Sequence, residues 1–227
     1  MSTNHSVFCI AGGWPSDPAI LNRCLKRALK ACGKPNPSVA YVGTASGDDL
    51  PFFRSMKSLL IKAGSGQVEL APLAGEKADA EKAGRLLQAS DAVFLSGGEM
   101  EDGMKWLRLH GTDRLLRDLF ENGKTFFGLS AGSIMMGARW VHWDTPDDDT
   151  TASLFDCLGF VPTVFDTHAE NESWHELKTA LRLLGPGAKG FGIPSNGMLL
   201  ADSEGKLTSL EGRMLPFQNR GGTVKAG

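Results

Sequence analysis

Residues 124–137 read KTFFGLSAGSIMMG, and within them Gly128-Leu129-Ser130-Ala131-Gly132 sets one hydroxyl between two glycines where an apolar run gives way to a helical pattern. The spacing G-x-S-x-G is that of a nucleophile elbow. In such an elbow the serine sits on a strained strand-to-helix bend, glycines replace side chains that would collide, and the free N–H groups of the helix start can stabilise an oxyanion. The same five residues also suit a plain small-residue turn with Ser130 as N-cap. Context favours the nucleophile, because a strand pattern precedes the motif and a helix pattern follows it.

A serine nucleophile needs a base, and the chain holds five histidines. His5 lies in the polar N-terminal stretch, while His110 and His175 fall in or near surface-type helices. His168 closes the apolar run TVFDTH (163–168), which puts it at the end of a strand and on the same rim as Ser130. It is the favoured base, with His142 of the WVHWD segment as the alternative. The imidazole in turn needs a carboxylate to fix its tautomer. Asp144, Asp147, Asp148, Asp149, Asp166, Glu170 and Glu172 all compete for that place, and spacing does not choose among them. Ser96-Gly97-Gly98 follows the run AVFL, where glycine lets a backbone N–H approach a substrate carbonyl. No HExxH pattern or paired His/Cys spacing is present, so neither a metal nor another cofactor is expected.

Short β-rich runs position these groups: 7–12, 38–45, 67–73, 92–98, 124–130 and 163–168. Apolar residues at helical spacing fill 19–32, 51–63, 80–87 and 104–120 between them. Continuously apolar strands alternating with helices predict an α/β fold, a mostly parallel sheet covered on both faces. The loops GGW, GTAS, SGGE and LSAG would then converge at the carboxyl ends of the strands, where such sheets bind ligands. Beyond His168 the sequence predicts a helix over 174–184, a hairpin turning at Ser203-Glu204-Gly205 and a frayed tail, RGGTVKAG. No internal repeat is visible, and residues 1–227 read as one domain. With 24 basic and 26 acidic side chains, the chain lacks the charge footprint for nucleic acid or a membrane surface as partner. Met1–Ser6 has no signal-peptide pattern, no apolar stretch reaches the roughly 18 residues of a membrane helix, and the four cysteines lack CxxC spacing. A cytoplasmic, reduced protein is expected.

LSGGE, GLSAGSIMM, the Asp144-x-Pro146 pair and FDCLGFVPTVFDTH together resemble the dipeptidase E family of serine peptidases, which includes α-aspartyl dipeptidases and, more distantly, cyanophycinases. The resemblance runs over most of the chain in the order of its elements. It implies a flavodoxin-like, class I glutamine-amidotransferase-like three-layer sandwich. It further implies Ser130 as nucleophile, His168 as base, Asp144 as third triad member with Glu170 as the competitor, and the N–H groups of Gly98 and Ala131 as oxyanion donors. Three departures bear on substrate. Glu99-Met100 stands where the family's GG loop continues with Asn-Thr, which marks Glu99 as a substrate contact. Trp174 falls near the place of the arginine that holds an N-terminal Asp in aspartyl dipeptidases, so strict Asp-X specificity is not expected. Trp140, Trp143 and Trp174 suit an apolar or aromatic substrate, or else pad the core or an oligomer contact.

The expectation is a serine peptidase hydrolysing dipeptides or short peptides, with a homodimer open as its assembly. The rival is a non-catalytic ligand-binding or regulatory protein on the same fold. An amidotransferase subunit would carry cysteine at position 130. An α/β-hydrolase shares the order Ser, Asp, His but needs more than the 38 positions separating Ser130 from His168.

Overall fold

The computed structural model describes residues 5–13, 17–146 and 148–227. Its first strand is β1 (Ser6–Ile10), followed by helix α1 (Pro18–Lys30), β2 (Val39–Val42), α2 (Leu50–Ala63), β3 (Val68–Ala71), α3 (Ala80–Ala89) and β4 (Ala92–Leu95). Helices α4 (Met100–Leu109) and α5 (Thr112–Glu121) lead to β5 (Thr125–Leu129) and the one-turn helix α6 (Ala131–Met135). After them come β6 (Arg139–Trp143), β7 (Ala152–Asp156), β8 (Val164–Thr167), α7 (His175–Leu184), β9 (Lys189–Ile193), β10 (Met198–Asp202), β11 (Leu207–Glu211), β12 (Leu215–Arg220) and β13 (Thr223–Ala226).

The central sheet has seven strands in the order β11-β10-β1-β5-β4-β2-β3. The pairs from β1 to β3 are parallel, and β10 and β11 extend the sheet antiparallel at one edge. Its strands alternate between two faces that are both apolar, because helices cover both. Val7, Cys9, Ala40, Val42, Val93, Leu95 and Phe126 pack with residues of α3 to α6 on one side. On the other, Phe8, Ile10, Tyr41, Phe94 and Phe127 pack with α1 and α2. Tyr41, Phe94 and Phe127 form a row with ring centroids 5.4 and 5.1 Å apart, and all three are fully buried. Burying each such side chain contributes roughly 1.5–3 kcal/mol, so this row anchors the sheet. The three-layer α/β sandwich expected from the alternation is thus the architecture observed.

Helix starts follow from the sequence. Asp17 and Asp49 cap α1 and α2, accepting from Ala19 N at 2.8 Å and Phe52 N at 2.7 Å, with a proline in the first turn of each helix. The expected single helix over 104–120 is instead two. Gly111 takes a left-handed φ of 65° and breaks the pattern, so α4 and α5 pack separately. The TVFDTH strand, β8, belongs to a second sheet of order β13-β12-β9-β8 rather than to the central one. The tail expected to fray is its edge strand, with Phe217 opposite Ala226 and Arg220 opposite Thr223. Gly221 and Gly222, both at positive φ, make the tight two-residue turn that joins β12 to β13. WVHWD forms a two-stranded ribbon, β6 with β7, that stands over the carboxyl end of the sheet against α7. Among the described residues no helix is long and apolar enough to cross a membrane.

Candidate active site

Ser130 stands between β5 and α6 with φ 52° and ψ −122°, a backbone conformation that L residues rarely adopt. Its own N–H donates to Ile10 O at 2.9 Å, which ties the bend to β1. Ser133, one turn on, strengthens that tie. Its buried hydroxyl accepts from Ile10 N–H and lies 2.9 Å from both Ile10 O and Gly128 O. A Cβ at position 132 would sit 2.1 Å from Leu95 O, so only glycine lets α6 pass this close to β4. The strain at Ser130 is therefore held by the strands on either side of it.

His168 follows β8 and also takes a left-handed φ, 45°, with its N–H bonded to Ile193 O at 2.9 Å. The turn carries the imidazole from the second sheet across to the rim of the first. Its Nε2 lies 2.7 Å from Ser130 Oγ, and both residues are half-buried. In the tautomer with its proton on Nδ1, Nε2 accepts the serine hydroxyl, which is the arrangement a general base needs.

The Gly97-Gly98 turn packs directly on the serine. A Cβ at Gly97 would stand 3.2 Å from Ser130 Cβ. Gly98 has φ 141°, and a Cβ there would meet Ala45 O at 2.1 Å, the carbonyl that accepts from Glu99 N–H at 2.7 Å. Ala131 opens α6, so its N–H has no acceptor within the helix. Gly98, Ala131 and Ser130 line one cavity together.

The carboxylates fall differently. Asp144 is 80% exposed at its side chain, and its Oδ1 lies 3.2 Å from His142 Nε2. His142 is held on its other nitrogen by Glu101 at 2.7 Å, and these partners raise its proton affinity, Glu101 most. The ribbon thus turns Asp144 toward His142 and away from the expected contact with His168. Glu170 accepts from Ser195 N–H at 2.6 Å and lies 3.3 Å from Ser195 Oγ, bracing the loop that flanks His168 across Gly13. Among the described residues no carboxylate bonds His168. His175 and Arg182 of α7 both hold Asp149, at 3.2 and 2.5 Å, a clamp between helix and ribbon. Asp147 lies outside the described residues.

Two cavities flank the Ser130 hydroxyl. One, of about 390 Å³, is built of small residues and backbone: Gly12, Gly13, Ser46, Gly97 and Gly98, with Asp49, Phe52 and Leu129. The four rim loops expected from the sequence meet around Ser130, the first of them through Gly12 and Gly13, with Trp14 outside the described residues. The other cavity, of about 630 Å³, extends toward the ribbon and α7, with Glu99, Trp140, Trp143, Asp166, Glu172 and Glu176 in its wall. Asp166 is 3% exposed, and burial pushes its carboxyl up to about 7, with Glu176 and Glu172 adding to the effect. Glu176 keeps more than a third of its surface in solvent yet is crowded by protein atoms; that crowding, then Glu172, raises its carboxyl too. Trp174 does not line either cavity. It is 6% exposed, its ring covers Gly192, and it packs near Phe217 at 6.0 Å between centroids, a position in the core rather than in a cavity wall. Glu99 does line the larger cavity.

Asp166 is the site residue that the sequence named only among competing carboxylates. Its place in the apolar TVFDTH run, two residues before His168, was the available signal. Among the described residues no group of three or more His, Cys, Asp and Glu side chains is arranged to hold a metal ion.

The family model of peptidase family S51 matches residues 7–208. Among solved structures, a peptidase from an acI-B1 Actinobacterium is similar over 100% of this chain and 95% of its own, with a TM-score of 0.71 at 14% identity. A candidate peptidase E from Listeria monocytogenes EGD-e is similar over 93% of this chain and 100% of its own, with a TM-score of 0.69 at 17% identity. At those identities the likeness to both is one of fold. No curated protein matches the sequence.

Proposed function

The chain belongs to peptidase family S51, a family of serine peptidases, and from that membership we propose that it hydrolyses dipeptides or short peptides with Ser130 as nucleophile and His168 as general base. The observation that carries the reading is the 2.7 Å approach of Ser130 Oγ to His168 Nε2 at a serine whose backbone is held at φ 52°. In the proposed mechanism Oγ attacks the peptide carbonyl as its proton passes to Nε2. The N–H groups of Gly98 and Ala131 hold the oxygen that becomes negative. Collapse of the tetrahedral intermediate breaks the C–N bond, and the imidazolium returns its proton to the leaving amine. Water then takes the place of the amine and adds to the acyl carbon as it loses a proton to Nε2; the C–Oγ bond breaks, the imidazolium returns that proton to Oγ, and the acid leaves.

Short substrates are favoured because the two cavities beside Ser130, of about 630 and 390 Å³, have space for only a few residues. Strict Asp-X specificity is disfavoured by the cavity walls, in which no lysine or arginine stands to meet an acidic side chain. Neither Asp144 nor Glu170 touches the imidazole, so the proposal rests on a serine–histidine pair, with Glu170 positioning the loop beside it.

A fluorophosphonate probe tests this reading against the non-catalytic one. Wild type is expected to be labelled at Ser130 and to hydrolyse members of a dipeptide library, while Ser130→Ala does neither. A folded wild type that takes no label and turns over no peptide would favour a binding protein on the same architecture.

A further inference from the structure

The larger cavity carries a charge pattern that hydrolysis itself does not use. Six carboxylates line it, Glu99, Glu101, Asp102, Asp166, Glu172 and Glu176, and no lysine or arginine does. Glu101 is engaged by His142, and the lining His175 is turned to Asp149. Glu99, Asp102, Glu172 and Glu176 take part in no ion pair among the described residues.

Acidic side chains on a surface are ordinary, since water solvates them well. Asp166 is different, because it is buried and incomplete. Its Oδ1 accepts from Thr167 N–H at 2.7 Å, and Leu177 N–H favours the charged form from farther off. Oδ2 is sealed from solvent and has no hydrogen-bond partner. A buried acceptor without a donor is costly, and two neighbouring carboxylates make it more so. A cation entering the cavity relieves the repulsion among these carboxylates and favours the charged form of Asp166. The rest of the wall suits what would carry such a charge: Ile134, Val141, Trp140 and Trp143 offer apolar surface to a methylene stem and aromatic rings to a cation.

We infer that this lobe of the active-site cavity receives a positively charged group of the substrate, an ammonium or guanidinium, with Asp166 at its floor and Glu99 and Glu172 at its mouth. Two parts of a peptide supply that chemistry: the side chain of lysine or arginine, and the free α-amine. The inference rests on the peptidase reading for the substrate being a peptide, and it names the feature by which one peptide is chosen over another.

The test measures kcat/KM for lysyl, norleucyl and aspartyl dipeptides of one common second residue, each with a free and an acetylated α-amine. Norleucine keeps the stem of lysine and removes the charge. Lysine is expected to exceed norleucine roughly tenfold or more if the side chain fills the lobe, the ratio that one charged hydrogen bond gives. An equal loss on acetylation, with lysine and norleucine alike, assigns the lobe to the α-amine. In either case Asp166→Asn and the exposed Glu172→Gln bring the discriminating ratio toward one, and the second variant stands if the first misfolds. Turnover blind to both charges, or faster for aspartyl peptides, overturns the inference while leaving the peptidase reading intact. Calorimetric binding of lysyl and norleucyl dipeptides to Ser130→Ala separates the two from the other side. Discrimination in binding with no turnover by wild type keeps the cationic lobe and removes the peptidase; equal binding removes the lobe.

Discussion

Replacing Asp166 by asparagine isolates the effect of burying a carboxyl at the floor of the cavity. Asparagine keeps the oxygen that accepts from Thr167 N–H and nearly the same volume, and it loses only the ability to ionise. In the folded protein Asp166 holds its proton up to about 7, against an ordinary 3.8. The folded value is raised, so the folded state binds more protons than the unfolded chain between those limits. Stability from this group is therefore complete below about pH 4 and falls as pH rises toward 7. At about 1.4 kcal/mol per pH unit, the stretch from pH 5 to 7 is worth on the order of 3 kcal/mol. The new amide has its own cost where Oδ2 had no partner, about 1–3 kcal/mol, but that cost does not depend on pH. The quantity to measure is thus the difference in unfolding free energy between Asp166→Asn and wild type by urea titration at pH 5 and pH 8. It should move by about 3 kcal/mol in favour of the variant at the higher pH. Other titrating groups are common to both proteins and cancel. Parallel pH profiles for the two proteins would refute the claim that Asp166 is buried against other carboxylates.

Gly98→Ala would drive a Cβ to within 2.1 Å of Ala45 O at a φ of 141°, so the turn must shift; kcat is expected to fall roughly a hundredfold or more, as for loss of an oxyanion donor, with a lowered melting temperature. Ser133→Ala removes a buried hydroxyl that joins β1 to the elbow, and should cost about 1–3 kcal/mol in urea unfolding and slow fluorophosphonate labelling of Ser130. Asp144→Asn and Glu170→Gln are each expected to lower kcat less than about tenfold, against a loss of at least a thousandfold for Ser130→Ala, because neither carboxylate touches the imidazole. A loss at Asp144→Asn approaching that of Ser130→Ala would restore Asp144 as the third member of a triad.

The Ser130 elbow was legible in the sequence because local rules fix it: a buried strand, a bend that tolerates no Cβ at position 132, and a helix start. The doubly covered sheet was legible for a similar reason, since strands apolar on both faces have few other solutions. His168 could be placed on the rim from its position after β8, although not in the correct sheet, because strand pairing between β8 and β9 is set by partners distant in sequence. Gly111 shows the converse. The apolar spacing across it continues as if in one helix, and only the left-handed residue reveals the break. Side-chain direction in an exposed loop was beyond reach. Asp144 matches the aspartate-x-proline pair of the family it resembles, yet its carboxylate is committed to His142, whose other nitrogen is held from α4 by Glu101. Trp174 likewise stands near the expected position in sequence, but a left-handed φ of 61° sends its ring onto Gly192.

The asymmetry around Ser130 follows from how the two sheets meet. On one side the hydroxyl faces loops of the central sheet, where close backbone approach demands glycine and leaves little room for charge. On the other it faces β8, α4, the ribbon and the start of α7, elements that approach through side chains; all but the ribbon, which brings Trp140, Val141 and Trp143, contribute carboxylates. Their repulsion is tolerated because most remain wet, and it concentrates on Asp166, the one that the strand buries. A peptide lying across the serine therefore meets a narrow backbone-lined end and a wide acidic end. Direction along the chain, and with it which residue donates the acyl group, should follow from where the substrate carries its positive charge.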